Sequence, residues 1–261
     1  MISTSTDKAA LEQHFRKDPV LYAYHIGDLD DFFFPKCQWL VYQTDDGVID
    51  EALLIYKGPS TPTVLAFGVS NEFNSLVEAS IADLPGRFFC HFQKAQRKLL
   101  AQAFEIQAFG PHLKMQLKDY TPPPNDPRSD AVDRFDRSHL SMLQSFYAEA
   151  YPDSYFDQRM LDTGKCFGYF ENNQLLAAAG LHVYSVEYDI AVLGNIATMP
   201  ADRGRGLGTL MTAHLVSELV AERRGCVCLN VKADNMAAIK CYEKLGFAIV
   251  HQYEEGLFVR Q

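Results

Sequence analysis

The chain has 261 residues, 48% of them hydrophobic, and its 24 Lys+Arg against 33 Asp+Glu leave a net charge of −9. That length suits two domains with real cores, and the acidic balance argues against nucleic acid as a partner, because phosphate neutralisation drives such binding. No apolar run approaches the ~20 residues that cross a bilayer, and the start MISTSTDKAALEQHF lacks the basic-then-apolar order of a secretory leader, so a cytoplasmic chain with no membrane partner is expected.

In chain order, the aromatic and acidic stretch LYAYHIGDLDDFFFP comes first. QWLVYQ, the turn TDDG, EALLIYK and TVLAFG then read as strands. VSNEFNSL is a polar helix candidate, RFFCHF a strand and KAQRKLLAQAF a helix. DYTPPPNDPRSD carries four prolines, which forbid a regular helix or a central strand. It is read as a linker at 121–129 between domains at 1–120 and 130–261. YPDSYFDQRML opens the second domain. KCFGYF, the turn ENNQ, LLAAAGLHVY and IAVLGNIAT follow as strands, then a helix, the strand CVCLNV and the helix NMAAIKCYEKLGF. The two halves share one order of elements. The fold class is α/β, an α+β mixed sheet flanked by helices in each half. Six cysteines, with no C-x-x-C pair, read as reduced and mostly buried thiols, and neither they nor the histidines fall at metal-ligand spacing.

PADRGRGLGTLM, Pro200 to Met211, joins the strand GNIAT to a helix read over Gly206 to Arg224, with Gly225 as its stop. Leu207, Leu210, Met211, Leu215 and Leu219 give that helix its apolar face. Glycines at a helix start leave bare amides, and bare amides with the helix dipole hold anions. The lysine of a P-loop is absent. The dinucleotide pattern fails because Thr209 stands where its third glycine belongs. The first half has no such loop, for VSNEFNSL follows its third strand.

Arg203, Gly206 and Gly208 fit R-x-x-G-x-G, and Asn235, Ala238, Tyr242, Gly246 and Phe247 fit N-x-x-A-x-x-x-Y-x-x-x-G-F. Together these resemble the two signatures of the GNAT superfamily of acyl-CoA-dependent N-acetyltransferases, strongly from Gly194 to Phe247 and diffusely from Asp130. The whole chain resembles tandem-GNAT proteins of the glycine N-acyltransferase-like arrangement, with a degenerate first domain and an active second one. The resemblance implies two partly splayed mixed sheets and acetyl-CoA as co-substrate, with no metal. It implies that Ile196, Ala197 and Thr198 bind the pantetheine arm through main chain. The amides of Arg203, Gly204, Arg205, Gly206, Leu207, Gly208 and Thr209 would hold the diphosphate, with Arg203 or Arg205 adding charge. Asn235 and Ala238 would face the cofactor.

For chemistry, the resemblance implies direct attack of an amine on the thioester, with Tyr242 as the acid toward the departing thiolate. The glutamate common on the strand before the loop is missing, for an apolar residue stands near Val192. His182, Glu187 and Asp189 are the candidate bases, and Asn195 could position water or substrate. Tyr155 and Phe156 are candidate walls of the acceptor pocket, with aromatic core packing as the plainer reading. The expected acceptor is the amine of a small molecule or amino acid, handled by a monomer or homodimer. A non-catalytic acyl-CoA-binding regulator and a protein or peptide acetyltransferase are the alternatives.

Overall fold

The computed structural model describes residues 1–152 and 154–261. In chain order its elements begin with β1 (Ile2–Ser5), α1 (Lys8–Phe15), α2 (Ala23–Gly27), β2 (Cys37–Gln43), β3 (Ile49–Tyr56), β4 (Thr63–Ala66), α3 (Asn71–Ser80), β5 (Arg87–Phe92), α4 (Arg97–Leu100) and β6 (Phe104–Leu117). They continue with β7 (Val132–Arg134), α5 (Leu140–Ala150), β8 (Phe167–Glu171), β9 (Gln174–Ser185), β10 (Ile190–Thr198), α6 (Leu207–Ala221), β11 (Cys226–Lys232), α7 (Met236–Lys244) and β12 (Phe247–Arg260). The chain divides into two compact units. Unit 1 is Met1–Lys114 with Val250–Gln261, and unit 2 is Met115–Ile249.

Unit 1 pairs β1 with β2, β2 with β3 and β3 with β4, all antiparallel, and β4 with β5 parallel. Unit 2 pairs β7 with β8, β8 with β9 and β9 with β10 antiparallel, and β10 with β11 parallel. The run β2-β3-β4-α3-β5 therefore matches β8-β9-β10-α6-β11 in order and in strand sense. One difference from the sequence reading lies at the chain end. Residues 250–261 cluster with unit 1, because β12 pairs with β5 from Glu254 to Val259.

Unit 1 buries one face of its sheet under α3 and α4, where Phe73, Leu76, Val77, Phe88, Phe92, Phe104 and Phe258 interlock. A second aromatic cluster gathers His14, Phe15, Tyr22, His25, Trp39 and Phe67. In unit 2 the run Ala177–Ala179 is fully buried, its small side chains letting neighbours approach closely. Leu207, Leu210, Met211, Leu215 and Leu219 of α6 are buried as their spacing predicts, joined by Thr212, Ala213 and Val216.

The helix α6 stops at Ala221. Arg223, at φ +58°, supplies the left-handed turn beyond it. Gly225 has a different task, because a Cβ there would lie 2.3 Å from Asp189 Oδ2. The proline-rich segment is a strap on unit 2 rather than a free connector. Tyr120 hydroxyl donates to Ala213 O at 3.2 Å, Thr121 N–H to Leu245 O at 3.3 Å, and Arg128 Nη1 to Arg205 O at 2.8 Å. Gly246, at φ +95°, is required where strap and α7 meet, since a Cβ there would sit 1.8 Å from Asp119 O.

Candidate functional site

The parallel pair β10 and β11 comes apart. Their register holds from Ile190–Cys226 to Leu193–Leu229 and then ends, although both strands continue, β10 to Thr198 and β11 to Lys232. The opening coincides with a bulge on the other side of β10. Gly194 pairs with Gly180 but Ala197 pairs with Ala178, so β10 carries one residue more than β9 there. Asn195 absorbs it at φ +53°. For a residue with a side chain that conformation costs about 1 kcal/mol or more.

Three contacts hold the bulge, two of them buried. Tyr147 hydroxyl, from the last turn of α5, donates to Asn195 O at 2.9 Å. Asn195 Nδ2 donates to Met160 Sδ at 3.1 Å, and His182 Nε2 stands 3.2 Å from Asn195 Oδ1. Asn195 thus joins the sulfur of Met160 to the imidazole of His182 across the bulge. His182 packs flat against β10, where a Cβ at Gly194 would come within 2.3 Å of its ring. Phe156 packs at a tilt on Tyr147, ring centres 4.9 Å apart, and so belongs to this cluster. Tyr155 is exposed, its hydroxyl 3.3 Å from Asp157 Oδ2.

At the end of β10 the glycine loop is open. Arg203 to Gly206 are exposed, and Gly204 and Gly206 have φ +81° and +78°. Gly206 caps α6 without a side-chain bond, and no acid stands in the first turn. Among the described residues, none of the amide N–H groups from Arg203 to Thr209 donates to a protein acceptor. Gly208 is informative because nothing in the fold demands it. Its φ is ordinary, and a Cβ would meet only Thr198 Oγ1 at 4.0 Å.

The arginines of the loop have other partners. Arg203 donates to Thr198 O at 3.4 Å and Ala150 O at 3.1 Å, tying the loop to β10 and α5. Arg205 pairs with Glu171 at 2.8 Å and Asp202 at 2.5 Å. The guanidinium that leans over the glycines is Arg128 of the strap, 3.7 Å from the position of a Cβ on Gly206. Arg128 carries no signal of its own in the sequence, because it lies in a proline-rich stretch far from the glycine motif.

On α7, Asn235 Oδ1 accepts from Ala238 N–H at 3.2 Å and caps the helix. Tyr242, one turn beyond Ala238, is buried against Phe247. Burial raises its pKa, with the Cys241 thiol and the Tyr151 phenol adding to the shift. Its hydroxyl makes no hydrogen bond among the described residues, and no bond or ring contact joins it to His182 or Asn195. Thr209 Oγ1 donates to Cys241 Sγ at 3.2 Å, linking the loop to α7. Glu187 and Asp189 lie before β10 begins, at the opposite end from Asn195, about 20 Å away at strand rise. Asp189 carboxylate oxygens accept from Gly225 N–H at 3.0 Å. Among the described residues no group of His, Cys, Asp or Glu is arranged to hold a metal ion, and no helix is long and apolar enough to cross a membrane.

An opened parallel pair, a bulge and an uncapped glycine helix place unit 2 among the mixed α/β domains built around a gap in the sheet. Residues 132–247 match the acetyltransferase (GNAT) family. A stretch of 71 residues is 46% identical to the [ribosomal protein bS18]-alanine N-acetyltransferase of Salmonella typhimurium, covering 26% of this chain and 47% of the relative. A stretch of 109 residues is 34% identical to a mycothiol acetyltransferase of Mycobacteroides abscessus, covering 39% of this chain and 33% of that one. The match thus spans about half the length of one relative and a third of the other. Over nearly the whole chain the fold is similar to a Drosophila protein, at TM-score 0.75 and 13% identity, covering 99% of this chain and 98% of that one. It is also similar to a tandem GNAT protein from the clavulanic acid biosynthesis pathway, at TM-score 0.59 and 12% identity, covering 98% and 97%.

Proposed function

We propose that the chain is an N-acetyltransferase that moves an acetyl group from acetyl-CoA to the amine of a small molecule or amino acid. The observation that carries the reading is the gap itself, where β10 and β11 part beside an uncapped helix start. Unpaired strand edges need partners. The amides of a pantetheine arm supply them along Ile196, Ala197 and Thr198, as an added strand would. The amides of Arg203 to Thr209 then take the diphosphate, and the absence of a side chain at Gly208 lets it approach the backbone.

In this reading the neutral amine attacks the thioester carbon, the C–S bond breaks and an amide forms. The amine proton leaves through His182 or through water held by the Asn195 cluster. Tyr242 is buried and stays protonated at neutral pH, so it donates a hydrogen bond to the thiolate as charge gathers on sulfur. Two kinds of relative stand behind the amine acceptor, one named for a protein alanine and one for mycothiol. The first favours a second reading, in which the acceptor is the N-terminal alanine of a protein.

Thiol release from acetyl-CoA with a panel of small amines, amino acids and alanine-led peptides separates these readings. Turnover with small amines supports the first, and turnover confined to peptides supports the second. Heat on titrating CoA without release from any acceptor would leave a non-catalytic acyl-CoA-binding protein.

A further inference from the structure

The orientation of one peptide group at the bulge is fixed from outside the sheet. Asn195, at φ +53°, turns its carbonyl to the Tyr147 hydroxyl, 2.9 Å away and buried. A trans peptide points its C=O and N–H in opposite directions. The Ile196 N–H therefore points away from α5. The register with β9 passes from Gly194 to Ala197 over this peptide, and the register with β11 has ended at Leu193.

We infer that Tyr147 is a positioning residue whose hydroxyl holds the Asn195–Ile196 peptide so that the Ile196 N–H meets the thioester oxygen of the acyl donor. The inference rests on the acyl-transfer reading. It concerns the hydroxyl rather than the ring. The ring packs on Phe146 at 5.3 Å and Phe156 at 4.9 Å, and a phenylalanine would fill the same space. The hydroxyl has the bulge carbonyl as its partner, and burial keeps it protonated, so the bond persists across the working pH range. As the amine adds, negative charge moves to the former carbonyl oxygen. A donor fixed in advance stabilises that charge without reorganising, and deleting such a donor elsewhere slows turnover by about 10²–10³-fold. Loosening a donor that remains present should do less.

The test uses full-length Tyr147→Phe. The expected result is a fall in kcat of about tenfold to fiftyfold, with CoA affinity by calorimetry within twofold of wild type. In ¹⁵N-labelled wild type, the Ile196 amide resonance should differ between the CoA and acetyl-CoA complexes, and the variant should lose that difference. The resonance decides the matter even where no amine in the panel reacts. Unchanged kcat, a parallel loss of CoA affinity and turnover, or an Ile196 resonance blind to the acetyl group in wild type overturns the assignment. No heat with CoA in wild type removes the acyl-transfer reading itself. Heat with CoA and normal turnover in Tyr147→Phe removes only the role of Tyr147.

Discussion

The starts of α3 and α6 occupy the same place in two matching runs of elements, and they are finished in opposite ways. At α3 the Ser70 side chain accepts from Phe73 N–H at 2.9 Å and donates to Glu51 at 2.6 Å, and Glu72 stands in the first turn. At α6 the cap is Gly206, with no side-chain bond and no nearby acid in the first turn. The strands before them differ likewise. β4 stays in register with β5 to Ala66, and the carbonyls just beyond are taken by Tyr22 at Phe67 and Gln96 at Gly68. A Cβ on Gly68 would collide with the Phe73 ring at 2.3 Å, whereas a Cβ on Gly208 would meet almost nothing. One framework can thus be closed by its own side chains or left open for a ligand, and the difference is a matter of a few polar groups and one ring.

The largest test of that contrast is Tyr242→Phe, which leaves the open gap intact and removes the group assigned to the leaving thiolate. Turnover should fall about 10²–10⁴-fold, the range for loss of a positioned acid. CoA affinity should change less than twofold. Equal turnover in the two proteins would make Tyr242 a packing residue of α7 and leave only the binding half of the reading.

Next in size is the pH response of unit 1, whose aromatic cluster holds two buried histidines. Burial, with the charge of Lys17 adding to it, lowers the His14 pKa from 6.5 to about 4, and His25 is lowered too. The folded protein therefore binds fewer protons than the unfolded chain between those values. Stability contributed by neutral His14 is intact above pH 6.5 and is lost as pH falls toward 4, to a total of about 3 kcal/mol. Urea midpoints of wild type should drop across that window, and His14→Leu should flatten the slope. A variant that follows the wild-type slope would show that His14 takes up its proton in the fold as readily as in the unfolded chain.

Gly208→Asp puts into α6 what α3 already has, an acid at the helix start. Two effects of opposite sign should follow. An acid there favours the helix dipole by about 0.3–1 kcal/mol, so the melting temperature should hold or rise. The same charge faces the diphosphate, so the CoA dissociation constant should rise about thirtyfold, roughly 2 kcal/mol. Loss of stability together with affinity would mean that Gly208 serves the fold rather than a ligand.

Much of this contrast is legible in the amino-acid sequence alone. R-x-x-G-x-G, the tyrosine motif and the echo of strands are local patterns, and local patterns survive in sequence. What stays hidden there depends on contacts between distant residues. Tyr147 sits on an ordinary apolar helix face, and only the bulge across from it gives its hydroxyl a task. Arg203 and Arg205 have partners that the motif does not announce, Ala150 and Thr198 for the first and Glu171 for the second. Residues 250–261 read as the end of the second half because they follow it, yet strand pairing with β5 places them in unit 1. Arg223 takes the left-handed turn expected of Gly225, and Asp189 fills the space where that glycine has no side chain.

The smallest effect belongs to the closed helix start. Ser70→Ala removes the α3 cap and should cost about 1 kcal/mol of stability, read as a shift in the urea midpoint. It should leave CoA binding stoichiometry at one per chain. Freed amides alone do not make an anion site when Glu51 remains beside them, half-buried and with its pKa raised chiefly by burial. The parallel pair also stays closed, and the Phe73 ring still covers Gly68. A second equivalent of bound CoA in Ser70→Ala would show that the cap alone separates the two helix starts. One equivalent would show that closure is shared among the cap, the carboxylate, the ring and the paired strands.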